Sequence, residues 1–215
     1  MALKIEIIPV TAFQQNCCLL WDDVSLDAVL TDVGGNADML WQRVQDLGLN
    51  LQAIWLTHGH VDHAAGVADM CAYQEMPVLG PHIDDDFWLQ QLPEVTAKYG
   101  FPHSPIVVPS QWLNEGDVLS VGSHQFKTLH IPGHTPGHVV FYSEEYGVII
   151  GGDILFAGSI GRTDFPRGNH ADLIQNIQQK LYILPDETEV IPGHGPMTTI
   201  GREKVSNPYV RADSK

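Results

Sequence analysis

Cysteine is scarce in this chain of 215 residues: Cys17, Cys18 and Cys71 are all there is. Adjacent Cys17 and Cys18 are poorly placed to pair, and no spacing makes a CxxC knuckle or a disulfide framework. Free thiols in a reducing compartment are therefore expected. Basic residues are few as well: 11 Lys and Arg stand against 26 Asp and Glu, a formal net charge of −15. Nucleic-acid binders gather Lys and Arg on one face. This balance argues against nucleic acid as a partner, and against an anionic membrane surface. Long apolar runs are also missing, so no stretch of about 18 apolar residues could span a bilayer. Near the start, Glu6 interrupts the apolar run and Pro9 closes it, which does not read as a signal peptide. The expectation is a cytoplasmic protein. No low-complexity linker or fixed-period repeat divides residues 1–215, which read as one domain.

The rest of the composition is that of a globular protein, 44% hydrophobic and 17% charged. Apolar runs at Ile5 to Val10, Cys17 to Trp21 and Ala28 to Val33 predict strands of an antiparallel sheet. Leu40, Val44 and Leu47 share one face of a helix over Ala37 to Leu47, stopped by Gly48. A strand over Ala53 to Leu56 leads into a loop, a helix over Ala64 to Gln74, and a strand over Pro77 to Gly80. Ile83 to Leu92 reads as a short helix. Pro93 to Pro109 reads as an irregular excursion, a lid or rim. Strands follow at Val118 to Val121, Gln125 to Ile131, Val139 to Tyr142, Gly147 to Ile150 and Glu189 to Ile191, with a helix over Ala171 to Leu181. This order suggests an α/β chain with two packed sheets and helices outside.

Four strand ends carry potential metal ligands. Thr57-His58-Gly59-His60-Val61-Asp62-His63 holds four of them within six positions. Residues i and i+2 of an extended loop point the same way, so His58 and His60 can grip one ion while Asp62 and His63 turn towards a second. His134 sits in a Pro/Gly-rich loop, Pro132 to His138. Asp153 ends an apolar strand, and His194 follows Pro192-Gly193. Imidazole and carboxylate suit catalytic zinc, and also non-haem iron or manganese. Five His and two Asp supply three ligands for each of two ions plus a bridge, which is the stoichiometry of a hydrolytic two-metal site. His138 reads as a loop or surface residue, with support of a ligand as the alternative. His82 is a further rim candidate.

Thr57 to His63 resembles the T-H-x-H-x-D-H motif of the metallo-β-lactamase superfamily, and His134, Asp153 and His194 match its remaining ligand positions. The resemblance runs from about Ile5 to His194. It implies a four-layer αββα sandwich with metals held at one edge of the two sheets. His58, His60 and His134 would hold the first metal; Asp62, His63 and His194 would hold the second, with Asp153 bridging. Zinc is the first choice, with iron or manganese open. Asp32 resembles a family Asp that buttresses the ligand loop, or is a plain turn residue. Gly161 to Phe165 is similar to a segment of glyoxalase II enzymes and of persulfide dioxygenases.

The resemblance therefore implies hydrolysis of a small-molecule thioester, S-lactoylglutathione, to lactate and glutathione. A metal-bound hydroxide would attack, and Asp62 would be the catalytic residue that orients it. Larger glyoxalase II enzymes bind glutathione through a C-terminal helical domain, whereas 21 residues follow His194 here. Arg162, Tyr209 and Arg211 are substrate-binding candidates by residue type, and an ion pair with Asp164 is the other reading of Arg162. The alternatives are an iron-dependent persulfide dioxygenase using His58, His134 and Asp153, or a hydrolase of another acyl-thiol or ester. β-Lactamase and nuclease activities are less favoured, by the N-terminal reading and by the charge.

Overall fold

The structure is a computed structural model, described over residues 2–211. The first sheet contains β1 (Leu3–Val10), β2 (Gln15–Asp22), β3 (Asp27–Thr31), β4 (Asn50–Trp55) and β5 (Val78–Leu79), in that order. β1, β2 and β3 are antiparallel, whereas β3, β4 and β5 run parallel. The helices between them are α1 (Ala37–Asp46), α2 (Val61–Ala64) and α3 (Val67–Tyr73). After β5 come a 3-10 turn, Ile83–Asp85, then α4 (Asp86–Gln90) and α5 (Leu92–Tyr99).

The second sheet uses β6 (Val118–Val121), β7 (His124–His130), β8 (Val139–Ser143) and β9 (Val148–Gly152). A small hairpin, β10 (Leu155–Phe156) and β11 (Ser159–Ile160), precedes α6 (His170–Asn176), which continues as a π-helical turn over Ile177–Leu181. Then follow β12 (Glu189–Pro192), β13 (Thr198–Thr199) and α7 (Ile200–Ser206). The sheet order is β13-β12-β9-β8-β7-β6, with β12 parallel to β9.

Side-chain alternation builds the layers. In β2, Cys18 and Leu20 face the second sheet and pack with Trp55, Phe126, Phe141 and Ile150. Cys17 and Leu19 face the other way, onto Leu40, Val44 and Met70 of α1 and α3. In the second sheet Val140, Ile149 and Val190 turn outward onto Leu173, Ile177 and Leu181. Three apolar layers thus separate helix, sheet, sheet and helix, the αββα arrangement the resemblance implies. The cysteines are free; Cys17 and Cys18 are buried, and burial pushes the Cys18 thiol up to about 12. Among the described residues no helix is long and apolar enough to cross a membrane.

Three local expectations need correction. The helix predicted over Ala64 to Gln74 is two pieces, because Gly66 lies between them against the backbone of Gly35. A Cβ there would come within 2.7 Å of the Gly35 nitrogen. Pro93 to Pro109 is not wholly irregular, since residues 93–99 belong to α5. Pro93 sits in its first turn, where the missing N–H costs nothing, and Gly100 ends it at φ 74°. The helix predicted over Ile83 to Leu92 is likewise broken into the 3-10 turn and α4.

Candidate metal centre

All four ligand-bearing segments leave the C-terminal ends of strands at one edge: after β4, β7, β9 and β12. His60 is the N-cap of α2, and Asp62 and His63 lie in its single turn. His60 Nδ1 is 3.1 Å from His58 Nε2 and 3.0 Å from His134 Nε2. His194 Nε2 is 3.1 Å from Asp62 Oδ2, and His63 Nε2 is 3.8 Å from the same oxygen. Asp153 lies between these groups. Its Oδ1 is 3.5 Å from His63 Nε2, and its Oδ2 is 3.6 Å from His134 Nε2 and 3.7 Å from His194 Nε2.

Bond lengths of about 2.0–2.1 Å around a tetrahedral ion require donor separations of roughly 3.3 Å, which these distances bracket. His63 Nε2 and Asp153 Oδ1 are buried with no hydrogen-bond partner in the protein. Such atoms are costly to leave unmet, and both face the gap between the clusters. The donor set fits metal ions: His58, His60 and His134 on one side, and Asp62, His63 and His194 on the other.

The far ring nitrogens of His63, His134 and His194 are fixed by partners. His63 Nδ1 donates to Asp32 Oδ2 at 3.0 Å, His134 Nδ1 to the Arg162 carbonyl at 2.7 Å, and His194 Nδ1 to the Phe13 carbonyl at 3.1 Å. Each bond sets the tautomer that turns Nε2 towards the cluster. Thr57 Oγ1 lies 3.0 Å from His58 Nδ1 and donates to Asp32 Oδ2 at 2.7 Å. The Thr57 N–H donates to Asp32 Oδ1 at 2.7 Å. Asp32 is therefore the buttress and not a plain turn residue. Burial holds His58 and His134 below the ordinary imidazole range, and burial with the neighbouring His134 brings His60 down to about 3. These rings are neutral, as ligation requires.

His138 differs from the loop-or-surface reading. It is fully buried, its ring stacks on His58 with centroids 4.7 Å apart, and its Nε2 accepts the Asp153 N–H at 3.0 Å. Asp85 was not singled out by sequence reasoning, because nothing marks the middle member of Asp84-Asp85-Asp86. Its buried carboxylate accepts the Gly59 N–H at 2.9 Å, the Thr135 hydroxyl at 2.8 Å and the Gly137 N–H at 2.6 Å. It clasps the loop of His58 and His60 to the loop of His134.

Burial raises the Asp85 carboxyl to about 6. A folded-state value above the unfolded one favours the neutral form, so this stabilising contribution is present at low pH and is lost as pH rises through about 6. The stability advantage of the wild type over Asp85→Asn is expected to shrink between pH 4 and pH 7. Denaturant midpoints of metal-free protein at the two pH values check it, and a constant difference would contradict it.

A cavity of about 430 Å³ opens beside the cluster, walled by Phe13, Trp88, Leu92, Val95, Tyr99 and Phe165, with Arg162 at its side. Arg162 forms a bidentate pair with Asp164, both contacts 2.7 Å. The structure thus gives Arg162 the ion pair and a place on the wall. Tyr209 and Arg211 require correction, since neither lines the cavity. Their segment is drawn onto the turn 177–182 on the outer side of the second sheet. Val210 is buried there and accepts from the Tyr182 hydroxyl, while the Arg211 carbonyl accepts from Gln178. His82 stacks on His130, centroids 4.2 Å apart, and is also absent from the wall.

An open His/Asp centre on the edge of an αββα sandwich defines a metallo-hydrolase. The chain belongs to the metallo-β-lactamase superfamily, which it matches over residues 10–194. It is 46% identical over 213 residues to the hydroxyacylglutathione hydrolase GloC of Haemophilus influenzae, covering 99% of this chain and 100% of that one. Among solved structures it is similar to the BLEG-1 B3 metallo-beta-lactamase, with TM-score 0.87, 36% identity and coverage of 97% and 99%. It is also similar to TTHA1623 in a di-iron-bound form, with TM-score 0.86, 35% identity and coverage of 95% and 100%. Metal binding goes with this fold.

Proposed function

We propose that the protein hydrolyses glutathione thioesters, S-lactoylglutathione among them, at a two-metal centre held by His58, His60, His134, Asp62, His63, His194 and Asp153. The observation that carries this reading is the pair of three-donor groups meeting at Asp153, with buried donor atoms otherwise unmet, beside an open cavity. Similarity to a hydroxyacylglutathione hydrolase supports the substrate. Similarity to a di-iron protein keeps iron open beside zinc and manganese.

Divalent ions supply Lewis acidity, which lowers the pKa of water from 15.7 towards about 7 and draws charge from the acyl oxygen. The chain does the rest. Burial works to raise the Asp62 carboxyl, but His63 and His194 outweigh it and hold it below the ordinary range. Asp62 therefore stays ionised, and while its Oδ2 faces His63 and His194, its other oxygen can orient the attacking water and take its proton. Asp32, through Thr57 and His63, keeps the ligand loop from moving during that transfer. The thiolate leaves without needing a strong general acid.

Purified protein is expected to cleave S-lactoylglutathione, to lose that activity to a chelator, and to regain it with zinc, iron or manganese. Loss of the thioester absorbance reads it. Absence of turnover by metal-loaded protein would reject the substrate. β-Lactam hydrolysis is the second reading, favoured by the likeness to BLEG-1, and nitrocefin tests it. Oxygen uptake with glutathione persulfide tests the iron-dependent dioxygenase alternative, against which the complete second ligand group counts.

A further inference from the structure

The cavity wall is chemically one-sided. Phe13 comes from the turn between β1 and β2, Trp88 from α4, Leu92, Val95 and Tyr99 from α5, and Phe165 from the loop after β11. The aromatic surface begins at a ligand itself: Trp88 and Phe165 meet the His60 ring edge-on, with centroids 4.6 Å and 5.2 Å away. At the mouth, Phe13 and Tyr99 leave 47% and 45% of their surface exposed. Phe13 is not a loose flap. Its ring packs edge-on against Phe101 at 5.2 Å, and its carbonyl holds His194. The apolar wall is therefore fixed in register with the metal centre, and covering it returns apolar area from water.

Charge is arranged the other way. Among the described residues Arg162 is the one cation on the wall. Its fork is already matched to the Asp164 carboxylate, and its guanidinium lies over the Phe165 ring at 4.1 Å. Lys98 lies over Tyr99 at 5.2 Å and Arg167 over Phe87 at 4.2 Å, and neither lines the cavity. Two carboxylates of a glutathione carrier would need guanidinium forks or ammonium groups with unspent donors. The wall offers neither. A charged carrier is best left in water, and the apolar wall then falls to the acyl group.

We propose that this site selects thioesters by a bulky apolar acyl group packed on the Phe13, Trp88, Tyr99 and Phe165 wall, and makes little use of the charges of the thiol carrier. The inference rests on the thioesterase reading. Apolar pockets discriminate by roughly ten- to 200-fold for small changes in the group they hold.

The test uses metal-loaded protein and four substrates: lactoyl and mandeloyl groups, each on glutathione and on N-acetylcysteamine. Mandeloyl esters are expected to exceed lactoyl esters about tenfold or more in kcat/KM on either carrier, and exchange of carrier should change the value much less than that. Phe13→Ala and Tyr99→Ala, both at exposed rings, should raise KM for the mandeloyl esters more than for the lactoyl esters. A lactoyl preference, or a loss of tenfold or more on removing glutathione, would overturn the inference and leave the thioesterase standing. Cleavage of none of the four would end the thioesterase reading and this inference with it.

Discussion

Asp153→Ala is expected to leave a folded protein that holds fewer metal ions and cleaves thioester at least about 10²-fold more slowly, beyond the 10–100-fold typical for partners of ligands. The reason is position. Asp153 lies within 3.7 Å of donors from both groups: His134 on one side, His63 and His194 on the other. Burial works to raise its carboxyl, yet those three imidazoles hold it well below the usual carboxylate range. Removing it would take a shared ligand from two ions at once and leave His63 Nε2 with only the more distant Asp62 carboxylate, at 3.8 Å. Metal content after gel filtration, with kcat/KM measured on the same sample, reads the effect. Unchanged content and rate would remove Asp153 from the centre.

Gly193→Ala is the second large effect, and it involves no ligand. A Cβ at Gly193 would come 2.2 Å from Asp153 Oδ1 and 2.7 Å from His63 Cε1. The backbone cannot give way easily, because the Gly193 N–H donates to the Gly152 carbonyl at 2.7 Å and its own carbonyl accepts the Asn16 N–H at 2.7 Å. The methyl group must therefore displace the bridging carboxylate or the His63 ring. A ligand misplaced by about 1 Å costs on the order of 10²-fold in rate, while overpacking costs about 1–3 kcal/mol of stability. Activity is expected to fall by about 10²-fold with a modest drop in melting temperature. Wild-type kcat/KM in a folded Gly193→Ala protein would show that the cluster tolerates rearrangement.

The candidate ligands are legible in the sequence because their chemistry is local. Four of the seven lie between His58 and His63, and the others each end an apolar run at a Gly- or Pro-rich turn. The layers are legible for a similar reason, since the continuous apolar run of β2, buried on both faces, and the helical spacing of Leu40 and Val44 survive folding unchanged. What could not be read depends on partners far apart in the chain. Asp85 matters because Gly137, 52 residues on, donates to it. His194 is oriented by the carbonyl of Phe13, 181 residues earlier. Such bonds leave no periodicity and use backbone atoms that any residue provides. His138 was hidden by its Pro/Gly-rich setting, which looks like surface until the loop folds beneath Asp153. Helix α5 was hidden by Pro93, which breaks a helix interior but is tolerated in a first turn. Residue type alone points to Tyr209 and Arg211, and packing of the buried Val210 takes that segment away from the cavity wall.

Titration of metal-free protein with zinc, iron or manganese, with bound metal and S-lactoylglutathione cleavage followed in the same samples, tests the central claim most directly. Activity should rise with occupancy and level off only when two equivalents are bound. Full activity at one equivalent, or activity independent of metal, would contradict the two-metal account.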